Sequence, residues 1–202
     1  TQWSSSAASD VYKRQEMTNI AIKYGGTVDK YIGDAIMIFF GDPQSKGTKE
    51  DAIACVTMAL EMKKKLRKLK KDWERTGVSE SLDVRMGIHT DVCTVGNFGS
   101  SDRLDYTVLG NGVNLASRLE SMAGANEILI SENTHNLVNK DIQSQFFSEI
   151  TVKGKAHPVK AYQVLGTVSK TVKREIIKAS GDGFKLSLDK TKIKNKENII
   201  SI

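Results

Sequence analysis

Two apolar runs, TVDKYI at residues 27–32 and AIMIFF at 35–40, are separated by only Gly33 and Asp34. A two-residue connection containing glycine favours a tight antiparallel hairpin, so this stretch must belong to a sheet whose strands pair locally. Upstream, Met17, Ile20, Ala21 and Tyr24 recur at helical spacing until Gly25-Gly26 stops the pattern. That periodicity predicts a helix starting near Glu16; residues 1–15 are polar and patternless, and are read as an unrelated or disordered leader.

Downstream of the hairpin, Thr48 is placed to cap a long helix with Asp51 in its third position. Its buried stripe runs from Ala52 and Val56 through Ala59, Met62, Leu66 and Leu69 to Trp73, ending before Gly77. The run KKKLRKLKK at 63–71 carries seven positive charges, but its two leucines fall in the stripe, so the lysines read as a solvated face ahead of a site for an acidic partner. LDVRMGIHT (82–90) and VCTVGNFG (92–99) suggest a second hairpin. DYTVLG (105–110) reads as a strand leading into the helix NGVNLASRLESMAG (111–124), and EILIS as another strand. ENTHNLVNK then reads as a short helix, and FFSEITV with KAYQVLG as two closing strands. Interleaved strands and helices, with hairpins between some strands, point to an α+β fold whose helices pack on one face of the sheet.

No apolar run approaches the roughly 20 residues that a bilayer demands. Cys55 and Cys93 form no disulfide framework and lack metal-ligand spacing, which fits a reducing, cytoplasmic setting. The formal charge of +6 is concentrated after residue 166, where nine Lys/Arg face four Asp/Glu, so the preceding part is nearly neutral. A neutral core without aromatic stacking motifs argues against a nucleic-acid binder. Residues 167–202 read as a basic linker or the start of a further domain, with a charged disordered tail as the alternative.

Chemistry concentrates in three places. Asp34, at a tight turn between two buried strands, is a candidate oxygen ligand for a hard cation, although Gly-Asp is also simply good turn chemistry. Asn114 and Arg118 lie four apart on one helix, so an amide and a guanidinium share a face that suits a ribose and a phosphate, or merely solvent. Lys153 and Lys155 are either phosphate contacts or ordinary surface lysines.

Taken together, GGTVDKYIGDAIMIFFGDP, RMGIHTDVCTVGNFGSSDRLDYTVLGNGVNLASRLES and ITVKGKAHPVKAYQV resemble class III adenylyl and guanylyl cyclase catalytic domains in order and spacing, over about residues 16–166. The resemblance implies a ferredoxin-like βαββαβ core with an antiparallel-rich sheet, acting as a homodimer with nucleotide held between protomers. It implies that Asp34 is one of two aspartates binding two divalent ions, Mg²⁺ or Mn²⁺, and that Lys30 and Thr107 select the base. A Lys-Thr pairing is similar to the adenylyl subgroup called class IIIb, and so implies ATP as substrate. By the same likeness Asn114 orients the ribose, Arg118 stabilises the pentavalent phosphorus and Lys153 binds the terminal phosphates.

Two departures accompany the likeness. The family carries its first metal aspartate on an N-terminal strand, and nothing in residues 1–15 resembles that segment; this stretch of chain is therefore expected to be weakly active or inactive. Asp91-Val92 stands where relatives typically have a glycine that eases a bend. The rival from another functional class is a catalytically inactive cyclase-like module that binds nucleotide or dimerises, and the retained Lys30, Asp34, Asn114, Arg118 and Lys153 argue against it. An upstream sensory or regulatory domain, and membrane attachment through such a segment, are compatible with the family.

Overall fold

The computed structural model describes residues 5–75, 82–100, 102–151, 158–168, 176–181 and 184–189. The chain divides into two units, Thr1–Val168 and Ser169–Ile202. No described helix is long and apolar enough to cross a membrane.

The first unit opens with α1 (Ser5–Tyr24), a helix that begins eleven residues before Glu16. Among its described side chains, the last two turns bury an apolar face through Met17, Ile20 and Ala21. Val11 and Tyr12 are exposed, so the turn before Glu16 offers no buried apolar face for periodicity to reveal. Gly25, at φ +84°, closes the helix by donating its N–H to the Ile22 carbonyl at 3.0 Å. The hairpin follows as expected: β1 (Thr27–Ile32) pairs antiparallel with β2 (Ala35–Phe39), and Ile32 opposite Ala35 leaves Gly33 and Asp34 as the turn. The register slips between Val28 and Lys30, making Asp29 the extra residue of a β-bulge.

Next comes α2 (Thr48–Arg75), which joins two parts of the core. Ala52, Val56 and Ala59 pack with Ile88, Ile128 and Ile130. Further along, Met58, Met62 and Leu66 pack with Met17 and Ile20 of α1, and Ile36 and Ile38 of β2 lie against the same cluster. The leucines of the basic run, Leu66 and Leu69, are buried, while Lys64, Arg67, Lys68 and Lys71 are exposed. Outside the apolar contact, Lys23 and Tyr24 of α1 both donate to the Glu61 carboxylate of α2, at 2.7 and 2.5 Å.

The expected hairpin between residues 82–90 and 92–99 does not form. Instead β3 (Met86–Ile88) runs parallel to the later strand β6 (Ile128–Ser131), and β4 (Thr94–Ser100) pairs antiparallel with β5 (Arg103–Leu109). Residues 89–93 are loop, which frees β4 to turn back on β5 rather than on β3. Between β5 and β6 lies α3 (Asn111–Met122). After β6 come α4 (Glu132–Val138), β7 (Ile142–Ile150) and β8 (Val159–Thr167), completing a sheet of order β3-β6-β8-β7 in which all but the β3-β6 pair are antiparallel.

This is the α+β class with the antiparallel-rich pairing expected. Its helices, however, cover both faces of the four-stranded sheet. Along β6 successive side chains point to opposite sides: Ile128 and Ile130 meet α2, whereas Leu129, with Ala161 of β8, meets Leu115 and Leu119 of α3. In the second unit, β9 (Ile176–Gly181) and β10 (Phe184–Asp189) form an antiparallel hairpin.

Candidate functional site

The β1-β2 hairpin presents Asp34 at its tip. Gly33, at φ +63°, adopts the left-handed conformation the turn needs, and its carbonyl accepts a 2.6 Å hydrogen bond from Arg14 of α1. Asp34 itself is exposed, so its carboxylate is available to a ligand.

Earlier in β1, the bulge brings two neighbouring side chains together that ordinary alternation would send to opposite faces. The Lys30 ammonium lies 3.4 Å from an Asp29 carboxylate oxygen; 45% of the lysine side chain is exposed, but only 1% of the aspartate's. Across from them on β5, Thr107 is buried and donates its hydroxyl hydrogen to the other Asp29 oxygen at 2.7 Å. The Val108 N–H points at that same oxygen, 3.4 Å away. Lys30 and Thr107, the two residues assigned to the base, thus converge on one buried carboxylate. Asp29 was missed in the sequence because its role depends on the bulge, which the apolar pattern of TVDKYI does not disclose.

The strand β5 runs through Gly110 straight into α3, so the site continues on that helix. Val108, Leu109, Gly110, Asn111, Val113 and Asn114 line a concavity of about 470 Å³. Helix α3 lies very close to the sheet at Gly87 of β3: a Cβ there would sit 2.2 Å from the Ala116 carbonyl oxygen and 2.3 Å from the Glu120 nitrogen. An Arg85–Glu120 ion pair at 3.1 Å ties the residue just before β3 to the same helix. Asn114 and Arg118 are both exposed on α3, and Arg118 donates to the Thr151 carbonyl at 3.3 Å. Thr151 directly precedes residues 152–157, which carry Lys153 and Lys155; those two lysines lie outside the described residues.

The bend at Asp91 proves to be supported by its own side chain. One carboxylate oxygen accepts from the Val92 N–H at 2.9 Å, and the other lies 3.2 Å from the His89 ring. Asn126 is the only non-glycine residue with positive φ among those described, so Asp91 takes the place of a glycine without left-handed strain. Neither cysteine is poised for chemistry: burial pushes the Cys55 thiol up to about 12, and burial followed by the nearby Asp91 charge raises Cys93.

Among the described residues no group of three or more His, Cys, Asp or Glu side chains forms a metal cage. An exposed carboxylate such as Asp34 nevertheless fits the way Mg²⁺ is held, through one or two carboxylates with substrate phosphates and water completing the shell.

Residues 12–166 match the pattern of the adenylate and guanylate cyclase catalytic domain. The chain belongs to that family. Relatives include the terminal-differentiation specific adenylate cyclase of Dictyostelium discoideum, 35% identical over 70% of this chain and 7% of that protein. The adenylate cyclase of Anabaena cylindrica is 33% identical over 69% of this chain and 28% of its own length. Among solved structures, the adenylyl cyclase CyaB from P. aeruginosa superposes with a TM-score of 0.77 at 46% identity, covering 83% of this chain and 87% of that one. The cyclase domain thus spans under a third of these two curated relatives, while matching nearly all of the CyaB structure.

Proposed function

We propose that this cyclase domain converts ATP into 3′,5′-cyclic AMP and pyrophosphate, as a homodimer with nucleotide bound between protomers. The observation that carries the choice of ATP is the convergence of Lys30 and Thr107 on Asp29. Adenine and guanine differ little in size but present reversed donors and acceptors at N1 and the six position, so selection must be polar. Lys30 is donor-only and suits the N1 acceptor of adenine; Thr107 has an oxygen that can accept from the 6-amino group.

The reaction forms a bond between the ribose 3′ oxygen and the α-phosphorus. It breaks the bond from that phosphorus to the bridging oxygen, which departs with pyrophosphate, and the 3′-hydroxyl proton is released to solvent. Asn114 orients the ribose so that attack is in line, replacing a chance encounter with a held geometry. Arg118 meets the negative charge that builds on the α-phosphoryl oxygens, and Lys153 holds the terminal phosphates. Divalent cations held with the help of Asp34 would supply a lowered pKa for the attacking hydroxyl and charge neutralisation for the leaving group.

The test compares cyclic AMP and cyclic GMP formation by the protein and its Lys30→Glu variant in Mn²⁺. Displacement of a fluorescent ATP analogue by ATP or GTP reads base preference independently of turnover. Lys30→Glu is expected to weaken ATP binding and use, and partly to favour GTP; an unchanged preference removes Lys30 from the assignment. An unsubstituted protein that binds neither nucleotide refutes the proposal.

A further inference from the structure

We propose that Asp29 is a positioning residue that sets base specificity by fixing the polarity of Thr107, an inference that rests on the assignment of Lys30 and Thr107 to the purine edge. A threonine hydroxyl is ambivalent, with one hydrogen to donate and two lone pairs to accept. On its own it would satisfy the 6-amino group of adenine or, by rotating, the 6-oxo group of guanine. A Lys-Thr pair without further constraint is therefore a weak discriminator.

Asp29 removes the ambivalence. Its carboxylate is almost wholly buried, and its contacts among the described residues are donors: the Thr107 hydroxyl at 2.7 Å, the Val108 N–H at 3.4 Å and the Lys30 ammonium at 3.4 Å. An ionised carboxylate accepts only, so the Thr107 hydrogen is committed to Asp29. The hydroxyl oxygen is left with lone pairs alone for a ligand. It accepts from the amino group of adenine and repels the carbonyl oxygen of guanine. The same carboxylate holds the Lys30 ammonium, so one buried charge organises both the acceptor and the donor that face the base.

The backbone makes this possible. Without the bulge between Val28 and Lys30, Asp29 would point to the face opposite Lys30 and away from it. Bulges recur beside functional sites because they re-aim a side chain in this way. Burying a carboxylate is costly unless it is paired and hydrogen-bonded, and Asp29 has both forms of compensation. A merely structural role would need no partner that faces the ligand. Two of the three donors here are the residues assigned to the base.

The near-isosteric Asp29→Asn variant tests the proposal. An asparagine amide can donate to Thr107, turning the hydroxyl hydrogen outward and allowing the oxo group of guanine to be accepted. The ratio of ATP to GTP affinity, measured by displacement of a fluorescent ATP analogue in Mn²⁺, is expected to fall about tenfold, the worth of one polar contact. Asp29→Glu, which keeps the charge, is expected to retain more of the ratio. If Asp29 acts through Thr107, then Asp29→Asn added to Thr107→Val changes the ratio no further. Should Asp29→Asn fail to fold, Thr107→Val must lower the ratio by itself, and a ratio left unchanged by it overturns the proposal.

Lys30→Glu separates this inference from the reading beneath it. If Lys30→Glu shifts base preference while Asp29→Asn folds and leaves the ratio unchanged, the role of Asp29 is refuted and the base assignment stands. If neither substitution moves the ratio, the base assignment itself falls and the inference falls with it.

Discussion

Gly87→Ala should disable the site from a distance. The added Cβ would lie 2.2 Å from the Ala116 carbonyl oxygen and 2.3 Å from the Glu120 nitrogen. Both are backbone atoms of α3, so no side chain can swing aside. Ordinary van der Waals contact begins near 3.4 Å, so the helix or the strand must retreat by about 1.2 Å, the difference between 3.4 and 2.2 Å. Leu115 and Leu119, 1% and 0% exposed, would be lifted from Leu129 and Ala161 by that movement. Overpacking of this kind costs roughly 1–3 kcal/mol, or a fall in melting temperature on the order of 5–10 °C at its upper end. The helix also carries Asn114 and Arg118, and a displacement of about 1 Å in groups that position substrate can lower turnover about a hundredfold. Thermal unfolding and cyclic AMP formation by Gly87→Ala measure the two effects separately. A variant that melts and turns over like the parent would show that α3 does not depend on the missing side chain at position 87, and the account of how the site is positioned would fail.

Arg118→Ala removes an exposed side chain whose described contact is one 3.3 Å hydrogen bond to Thr151, so the melting temperature should change little. The weak cyclic AMP formation expected of this stretch of chain should nevertheless fall by about 10²–10³-fold, to below detection, as for loss of a donor aimed at developing charge; prolonged assays with ATP in Mn²⁺ decide between that and a surface role. At high pH, Tyr24 gives a separate handle on the fold. Hydrogen bonding to Glu61, then burial, raises its hydroxyl from 10.0 to about 12. A pKa raised by folding stabilises fully below the unfolded value and is lost as pH climbs through the folded one, so stability should decline between pH 10 and about 12. Urea unfolding across that window should show a shallower decline for Tyr24→Phe.

Much of this was readable before any coordinates. Gly33-Asp34 announced the hairpin, and Ala52 through Leu69 announced the buried stripe of α2, because turn chemistry and helical periodicity are local properties. Long-range pairing was not readable. Nothing in Met86–Ile88 names Ile128–Ile130 as its parallel partner in preference to the adjacent strand, since pairing choice depends on the competing loops and on which faces the helices cover. The turn of α1 before Glu16 stayed hidden because Val11 and Tyr12 are exposed and mark no buried face. For the candidate site, Asp34, Asn114 and Arg118 stood out from turn chemistry and helical spacing, whereas Lys30 and Thr107 were named only from motif likeness. Asp29 escaped because its importance comes from a backbone irregularity, and alternation of side chains is the very rule that a bulge breaks.

That irregularity also constrains how a relative could change its taste in nucleotides. A glutamate at position 30 would sit beside an already buried carboxylate, and two like charges at such range resist sharing one pocket. If Lys30 and Thr107 read the base as proposed, converting an adenine reader into a guanine reader on this backbone calls for neutralising position 29 in the same step. Single replacements at the neighbouring lysine should yield hesitant, half-switched enzymes, while paired replacements should switch cleanly.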